Sequence, residues 1–286
     1  DFDRYSAARI MAEEQRHGWQ MAYLLMTYFG QQGRREAQKL LERNAQDGDR
    51  LLGAFNIPMP HWLDFFCYTM FVDRDGKFQL GMLSTSAFKP LAASMGPMLK
   101  EEAFHLGTGF NGLRRIIKAG VVPLDLLQRY INKWVSTAHD LFGVDASSSA
   151  HWAYVWGVKG RWDERKKLDA GIAVDKATLN EESRGHYHDE IAGEVRKLCG
   201  YLPDDATKLY VPHENFNRSI GTAKGKRFTV DGAPFEGSDD DWKEYLSTHL
   251  PTDQDEIDLK ELFKQEWIAN KPMSTRQIES GIGVSA

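Results

Sequence analysis

The sequence is poor in cysteine: two in 286 residues, Cys67 and Cys199, far apart and with no Cys-x-x-Cys pair. That excludes a disulfide scaffold, and it excludes a cysteine-ligated iron–sulfur cluster, which takes about four thiolates. So few thiols suit a reducing cytoplasm. Long apolar runs are lacking too. The longest, around Met21 to Phe29, is too short to span a bilayer, and no stretch reads as a signal peptide. There is no excess of positive charge: the formal net charge is −5 and no basic block stands out, which argues against a nucleic-acid binder. No Gly-x-Gly-x-x-Gly lies in a strand-to-helix context, so a nicotinamide site is expected on another protein. No nucleophile elbow surrounds the serines of "SSSAHW", and the glycines of "TAKGKR" have the wrong spacing for a P-loop.

What is present is an ordinary globular composition, 42% hydrophobic and 27% charged, in a chain long enough to bury a sizeable core. Apolar residues recur at helical spacing from Tyr5 to Phe29 (Ile10, Met11, His17, Met21, Leu24, Leu25, Tyr28), and Gly30 and Gly33 end that helix. "RREAQKLLERNAQDGDRLLGAF" predicts a shorter amphipathic helix with a break at Asp47–Gly48. "HWLDFFCYTMFVDRDGKFQLGMLSTSAF" is apolar nearly all round in its first half, which predicts a buried helix despite Gly76. A long helix follows Pro90, with a kink expected near Gly96–Pro97, and another begins at Pro123. Beyond Gly143 the text becomes rich in Ser, Gly and Trp. It then predicts a helix in "TLNEESRGHYHDEIAGEVRKLCG", a hairpin turn at Asp231–Gly232 and an acidic helix in "DEIDLKELFKQEWI". The expected fold class is mainly α. Residues 1–142 form a helical bundle, and residues 143–286 form a looser, partly irregular C-terminal extension of helices, loops and a possible hairpin.

One motif is written twice: "EEQRH" at Glu13–His17 and "EEAFH" at Glu101–His105, each inside a predicted long helix. Residues three apart share a helix face, so Glu14 with His17, and Glu102 with His105, can each reach one metal ion. Two such helices face to face supply half of a carboxylate-bridged di-iron or di-manganese site in a four-helix bundle. With 18 Glu and 9 His in the chain, about 0.6 Glu-x-x-His matches arise by chance, so number alone says little. The apolar surroundings say more, because a buried Glu or His needs a partner. Solvated faces with salt-bridged glutamates are the plainer alternative. Such a site needs further acids. Asp73, directly after the apolar run "FFCYTMFV", is the first candidate, Asp75 the second and Asp64 a weaker one; a salt bridge of Asp73 to Arg74 or Lys77 is the plain alternative.

"EEQRHGWQMAYLL", "RLLGAFN", "WLDFFCYTMFVDRDGKFQL" and "LKEEAFHLGTG" together resemble the oxygenase components of benzoyl-CoA epoxidases, ferritin-like di-iron enzymes of aerobic aromatic degradation. The chain is more distantly similar to phenylacetyl-CoA epoxidase catalytic subunits, and "KLYVPHENFNRSIG" extends the resemblance past the bundle. The resemblance implies a ferritin-like fold and a ligand set of Glu, Glu-x-x-His, Asp and Glu-x-x-His along four helices. Glu14, His17, Asp73, Glu102 and His105 match it as metal ligands, with Glu14 and Glu102 also carried over as catalytic carboxylates. The helix bearing the first Glu is expected upstream of Asp1. The implied activity is NADPH- and dioxygen-dependent conversion of an aryl-CoA thioester, benzoyl-CoA, to its 2,3-epoxide. The implied cofactors are two Fe ions here, with NADPH, FAD and an iron–sulfur cluster confined to a separate partner reductase. Another ferritin-like di-iron oxidase and a metal-free helical scaffold or partner subunit stay open as alternatives.

Other features carry less. Phe65, Phe66, Tyr68, Met70 and Phe71 either wall an aromatic-ring pocket or are plain core. Arg114, Arg115 and Lys118 are expected on a solvated face, although a coenzyme A phosphate would need such groups. His139 is expected as a dipole-favoured His at a helix C-terminus, and His186 and His188 on an exposed polar helix.

Overall fold

The computed structural model describes residues 2–42, 52–160, 164–173 and 175–265. Among the described residues the chain is helical and contains no strand. Helix α1 (Phe2–Tyr28) turns at Gly30, whose φ is 55°, and packs back against α2 (Gly30–Glu42). The break expected at Asp47–Gly48 lies outside the described residues. Helix α3 (Trp62–Cys67), a five-residue π-helical turn (Tyr68–Val72) and α4 (Asp73–Leu83) then succeed one another without a gap. Next come α5 (Lys89–Ala119), which carries Pro97 within it, and α6 (Leu124–Leu141), capped at its start by Pro123. Short helices α7 (Ser148–Val155) and α8 (Glu164–Asp169) lead to α9 (Leu179–Cys199), and α10 (Asp239–His249) and α11 (Asp253–Leu262) come last.

The core lies between α3, the π turn, α5, α6 and α9. Phe66, Met70 and Phe71 meet Leu113 and Ile116 of α5, Tyr130, Ile131 and Trp134 of α6, and Tyr187, Ile191 and Val195 of α9. Burial of each such side chain contributes roughly 1.5–3 kcal/mol. Helices α9 and α11 (through Leu259) thus share one core with the bundle. Two polar ties reinforce this. Tyr187 Oη donates to Phe71 O at 3.0 Å, and Arg74 and Lys77 of α4 both reach Glu190 of α9. Helix α1 is more peripheral: Ile10 and Leu24 are buried, whereas Met11 and Tyr28 are exposed. At Asp231–Gly232 the chain does turn back, with Gly232 at φ 90° and Thr229 N–H donating to Ala233 O at 2.8 Å. It forms a single antiparallel bridge, Phe228 to Pro234, since proline cannot donate to a continuing ladder. No described helix is long and apolar enough to cross a membrane.

Candidate metal centre

The π turn sets up the site. Asp73 N–H reaches back five residues to Tyr68 O, so this turn holds one residue more than an α-turn. The extra residue rotates α4 by about 100° relative to an unbroken helix, and Asp73 comes to lie beside α5. Helix α5 crosses closely here because Gly109 has no side chain: a Cβ at that position would sit 2.5 Å from Met70 N and 2.7 Å from Thr69 Oγ1.

Three helices bring their acids and imidazoles to one point. His105 of α5 is fully buried, and its Nδ1 lies 3.4 Å from Glu14 Oε1, 3.7 Å from Glu102 Oε2 and 3.8 Å from Asp73 Oδ2. Glu14, Glu102 and His105 offer one ligand atom each within a 4.8 Å span. His17 Nδ1 approaches the same Glu14, 3.7 Å from Oε2. Glu14 therefore stands between the two imidazoles. Three buried atoms in this cluster, Asp73 Oδ2, Glu102 Oε2 and His105 Nδ1, have no hydrogen-bond partner. Buried polar atoms are nearly always paired, because an unsatisfied one costs about 1–3 kcal/mol.

The electrostatics reflect that crowding. Burial, then the charges of Glu102 and Glu14, push the Asp73 carboxyl well above the usual carboxylate range. Burial, then Glu14, push Glu102 up to about 8. Burial of the His17 ring opposes its protonation, but Glu14 and Glu101 outweigh it and raise its pKa to about 9. The crowded carboxyls of Asp73 and Glu102 thus hold their protons to higher pH than ordinary acids.

The other candidate acids lie elsewhere. Asp75 is buried two residues on, where it accepts from Gln79 Nε2 at 3.1 Å. Asp64 accepts from Lys133 Nζ and Trp134 Nε1, both at 2.8 Å. Arg74 and Lys77 pair with Glu190 rather than with Asp73. Glu13 and Glu101, the first glutamate of each motif, are not singled out by spacing, yet both bond to a motif histidine: Glu13 Oε2 to His105 Nε2 at 2.9 Å, and Glu101 Oε2 to His17 Nε2 at 2.6 Å. The doubling of Glu in both copies is the signal for them.

The aromatic run divides. Phe66, Met70 and Phe71 are core, while Phe65 lines a cavity of about 600 Å³ with Met59, Pro60, His61, Trp62 and Phe263. This cavity shares no residue with the acid–imidazole cluster. Of the basic group on α5, Lys118 is exposed and Arg114 and Arg115 are half-buried: Arg115 grips the buried Asp3 at 2.9 and 2.5 Å, and Arg114 and Lys118 lie over the Tyr201 ring. His139 also departs from expectation. It occupies the last turn of α6, but burial, then His188 and Arg218, hold it well below the usual imidazole range, so the dipole does not keep it charged. His188 stacks on it and is half-buried, unlike the exposed His186.

The family model for phenylacetic acid catabolic proteins matches residues 9–217, a stretch that contains every residue of the cluster. The chain is 34% identical over 306 aligned positions to benzoyl-CoA oxygenase component B of Aromatoleum evansii, covering 92% of this chain and 64% of that protein. The chain therefore spans a little under two thirds of the length of that relative. On the match over most of its length, the chain belongs to the phenylacetic acid catabolic protein family.

Proposed function

We propose that the chain is a di-iron oxygenase component that inserts one oxygen atom from dioxygen into the ring of an aryl-CoA thioester, converting benzoyl-CoA to its 2,3-epoxide, while the other oxygen atom leaves as water on taking up two electrons and two protons. The observation that carries this reading is the trio of buried, unpartnered atoms on Asp73, Glu102 and His105, facing one another across α4 and α5. The donor set fits the metal, since carboxylates with imidazole suit iron. The substrate class rests on the relative whose name includes benzoyl-CoA oxygenase.

Glu14, His17, Asp73, Glu102 and His105 are the residues that would hold the two irons. When bound, reduced iron supplies the electrons and open coordination positions that activate dioxygen. Each protein group has its own task. Asp73 and Glu102 give up their protons as the cations load, because ligation requires the ionised form. Glu14, lying between both imidazoles, is the carboxylate placed to be shared. The fully buried His105 and the nearly buried Glu102 keep water from the α5 side. The two cysteines cannot hold an iron–sulfur cluster, so electrons come from a separate NADPH-dependent flavin and iron–sulfur reductase, in keeping with "component B" in the relative's name. Two free thiols suit a cytoplasmic protein.

The test is iron content together with turnover. About two Fe per chain, and NADPH oxidation in the presence of the reductase that depends on benzoyl-CoA and yields a product heavier by one oxygen atom, are expected. Absence of bound iron removes the reading. Turnover of phenylacetyl-CoA in preference, as the family's description would favour, replaces the substrate but keeps the chemistry.

A further inference from the structure

Each motif spends a glutamate that is not in the ligand set. Glu13 belongs to the motif of α1 but bonds the histidine of α5, with His105 Nε2 2.9 Å from its Oε2. Glu101 belongs to the motif of α5 but bonds the histidine of α1, with His17 Nε2 2.6 Å from its Oε2. The second oxygen of each is tied to an arginine of α1. Arg9 Nε donates to Glu13 Oε1 at 2.9 Å, and its guanidinium lies 3.9 Å above the Phe104 ring. Arg16 pairs with Glu101 Oε1. Arg9 and Arg16 are seven residues apart, two turns along one face of the helix.

A neutral imidazole, the form that ligates a metal, whose Nε2–H is donated to a carboxylate has its lone pair on Nδ1 and a fixed orientation. In both rings it is Nδ1 that faces Glu14, and in His105 it also faces Asp73 and Glu102. We propose that Glu13 and Glu101 are reciprocal positioning residues: each glutamate, held by its arginine, fixes the tautomer and aim of the opposite motif's histidine so that both Nδ1 atoms point at a shared metal site. This rests on the di-iron reading of the site, and it explains why the chain writes Glu-Glu rather than a lone Glu before each x-x-His. The crossing also ties the two motif helices together, since the Nε2 partner of each histidine comes from the opposite helix. The carboxylate on Nε2 raises the basicity of the ring as a ligand, and loss of such a partner typically costs 10–100-fold in metal affinity.

The experiment is Co(II) titration of the full chain, monitored by absorption and by NMR of the hyperfine-shifted, exchangeable imidazole N–H signals. The unaltered chain is compared with Glu13→Gln, Glu13→Ala, Glu101→Gln and Glu101→Ala. Expected for the unaltered chain are Co(II) binding and two slowly exchanging N–H signals. Each alanine variant is expected to bind at least tenfold more weakly and to lose, or greatly speed the exchange of, one signal: that of His105 for Glu13, that of His17 for Glu101. The glutamine variants, which keep a neutral acceptor, fall between, and they carry the test should an alanine variant fail to fold. Affinity within twofold of the unaltered chain overturns the inference. A weaker affinity with both N–H signals unmoved overturns it too, because Glu13 and Glu101 are then only ties between helices. Failure of the unaltered chain to bind Co(II) overturns the metal reading itself, and this inference with it.

Discussion

Two aspartates nine positions apart are treated by the fold in different ways. Asp64, on α3, is 1% exposed and its Oδ1 has been given a cation and a donor, Lys133 and Trp134 of α6 both at 2.8 Å; its Oδ2, 3.2 Å from the His61 ring, has no hydrogen-bond partner. Asp73, on α4, is less deeply buried, and its Oδ2, also without a hydrogen-bond partner, faces His105 in a cluster with Glu14 and Glu102 and is reached by no Lys or Arg among the described residues. Burial alone does not mark a ligand. Asp64 shows how this bundle neutralises an acid with its own side chains. Asp73 and Glu102 show what is left when it does not, and in the proposed reading a divalent cation would neutralise them.

The comparison breaks most completely at His105. Replacing it by alanine removes the imidazole that all three acids approach. His105→Ala is expected to abolish turnover and to weaken iron binding by more than the roughly 10–100-fold that loss of an outer partner costs, so that bound iron falls below about two per chain. Metal analysis after dialysis reads this directly; normal iron in that variant would take the motif out of the mechanism.

Next in size is a pH dependence of the metal-free chain. Glu102 titrates near 8 in the fold, against 4.5 for the unperturbed group. Between those values the folded state holds a proton that the unfolded state has lost, so this group's contribution to stability falls as pH rises from about 4.5 to about 8. Glu102→Gln cannot ionise. Its stability relative to the unaltered chain should therefore grow across that window, by at most ~1.4 kcal/mol per pH unit. Urea midpoints at pH 5 and pH 8, without metal, measure it; a difference that shrinks with pH would mean the cluster is neutralised in some other way.

A smaller test sets the two aspartates side by side. Asp64→Asn keeps an acceptor for Trp134 but leaves the Lys133 ammonium unpaired, and is expected to destabilise the chain by about 1–3 kcal/mol. Asp73→Asn removes a carboxyl that crowding already disfavours. It should leave metal-free stability unchanged or raise it by about 1 kcal/mol while lowering metal uptake. Loss of stability in both variants would place Asp73 with Asp64 as an ordinary structural acid.

Much of the fold and of the cluster is legible in the sequence, for physical reasons. The long helices announce themselves through period and punctuation, and the buried character of 62–72 through its unbroken apolar run. Glu-x-x-His can be read because three-residue spacing is a local rule of helix geometry. Long-range pairing cannot. Nothing near Asp64 says that Lys133 will reach it from α6, and nothing in "FVDRDGKFQL" says that Arg74 and Lys77 will turn to Glu190, more than a hundred positions away. The π turn, which decides how Asp73 is aimed, has no local sequence rule comparable to a cap or a proline. His139 escapes a sequence reading for a related reason. A helix C-terminus favours a charged histidine only where water or an acid can share the charge, and α9 buries this one.

The smallest expected effect bears on the plain alternative for Asp73. If Lys77 neutralised that acid, removing it would disturb the cluster. Its ammonium instead sits 2.6 Å from Glu190 Oε2, on a side chain 42% exposed. A partly solvated pair of this kind contributes roughly 0.2–1 kcal/mol, and Arg74 remains to hold Glu190. Lys77→Ala should therefore lower stability by no more than ~1 kcal/mol and leave metal affinity unchanged within about twofold. The salt dependence of the loss is a second check: a half-exposed pair weakens as ionic strength rises, so the difference between variant and unaltered chain should narrow toward about 1 M salt. A large fall in metal uptake in this variant would show that Lys77 acts on Asp73 after all, and the contrast between the two aspartates would then lose its basis.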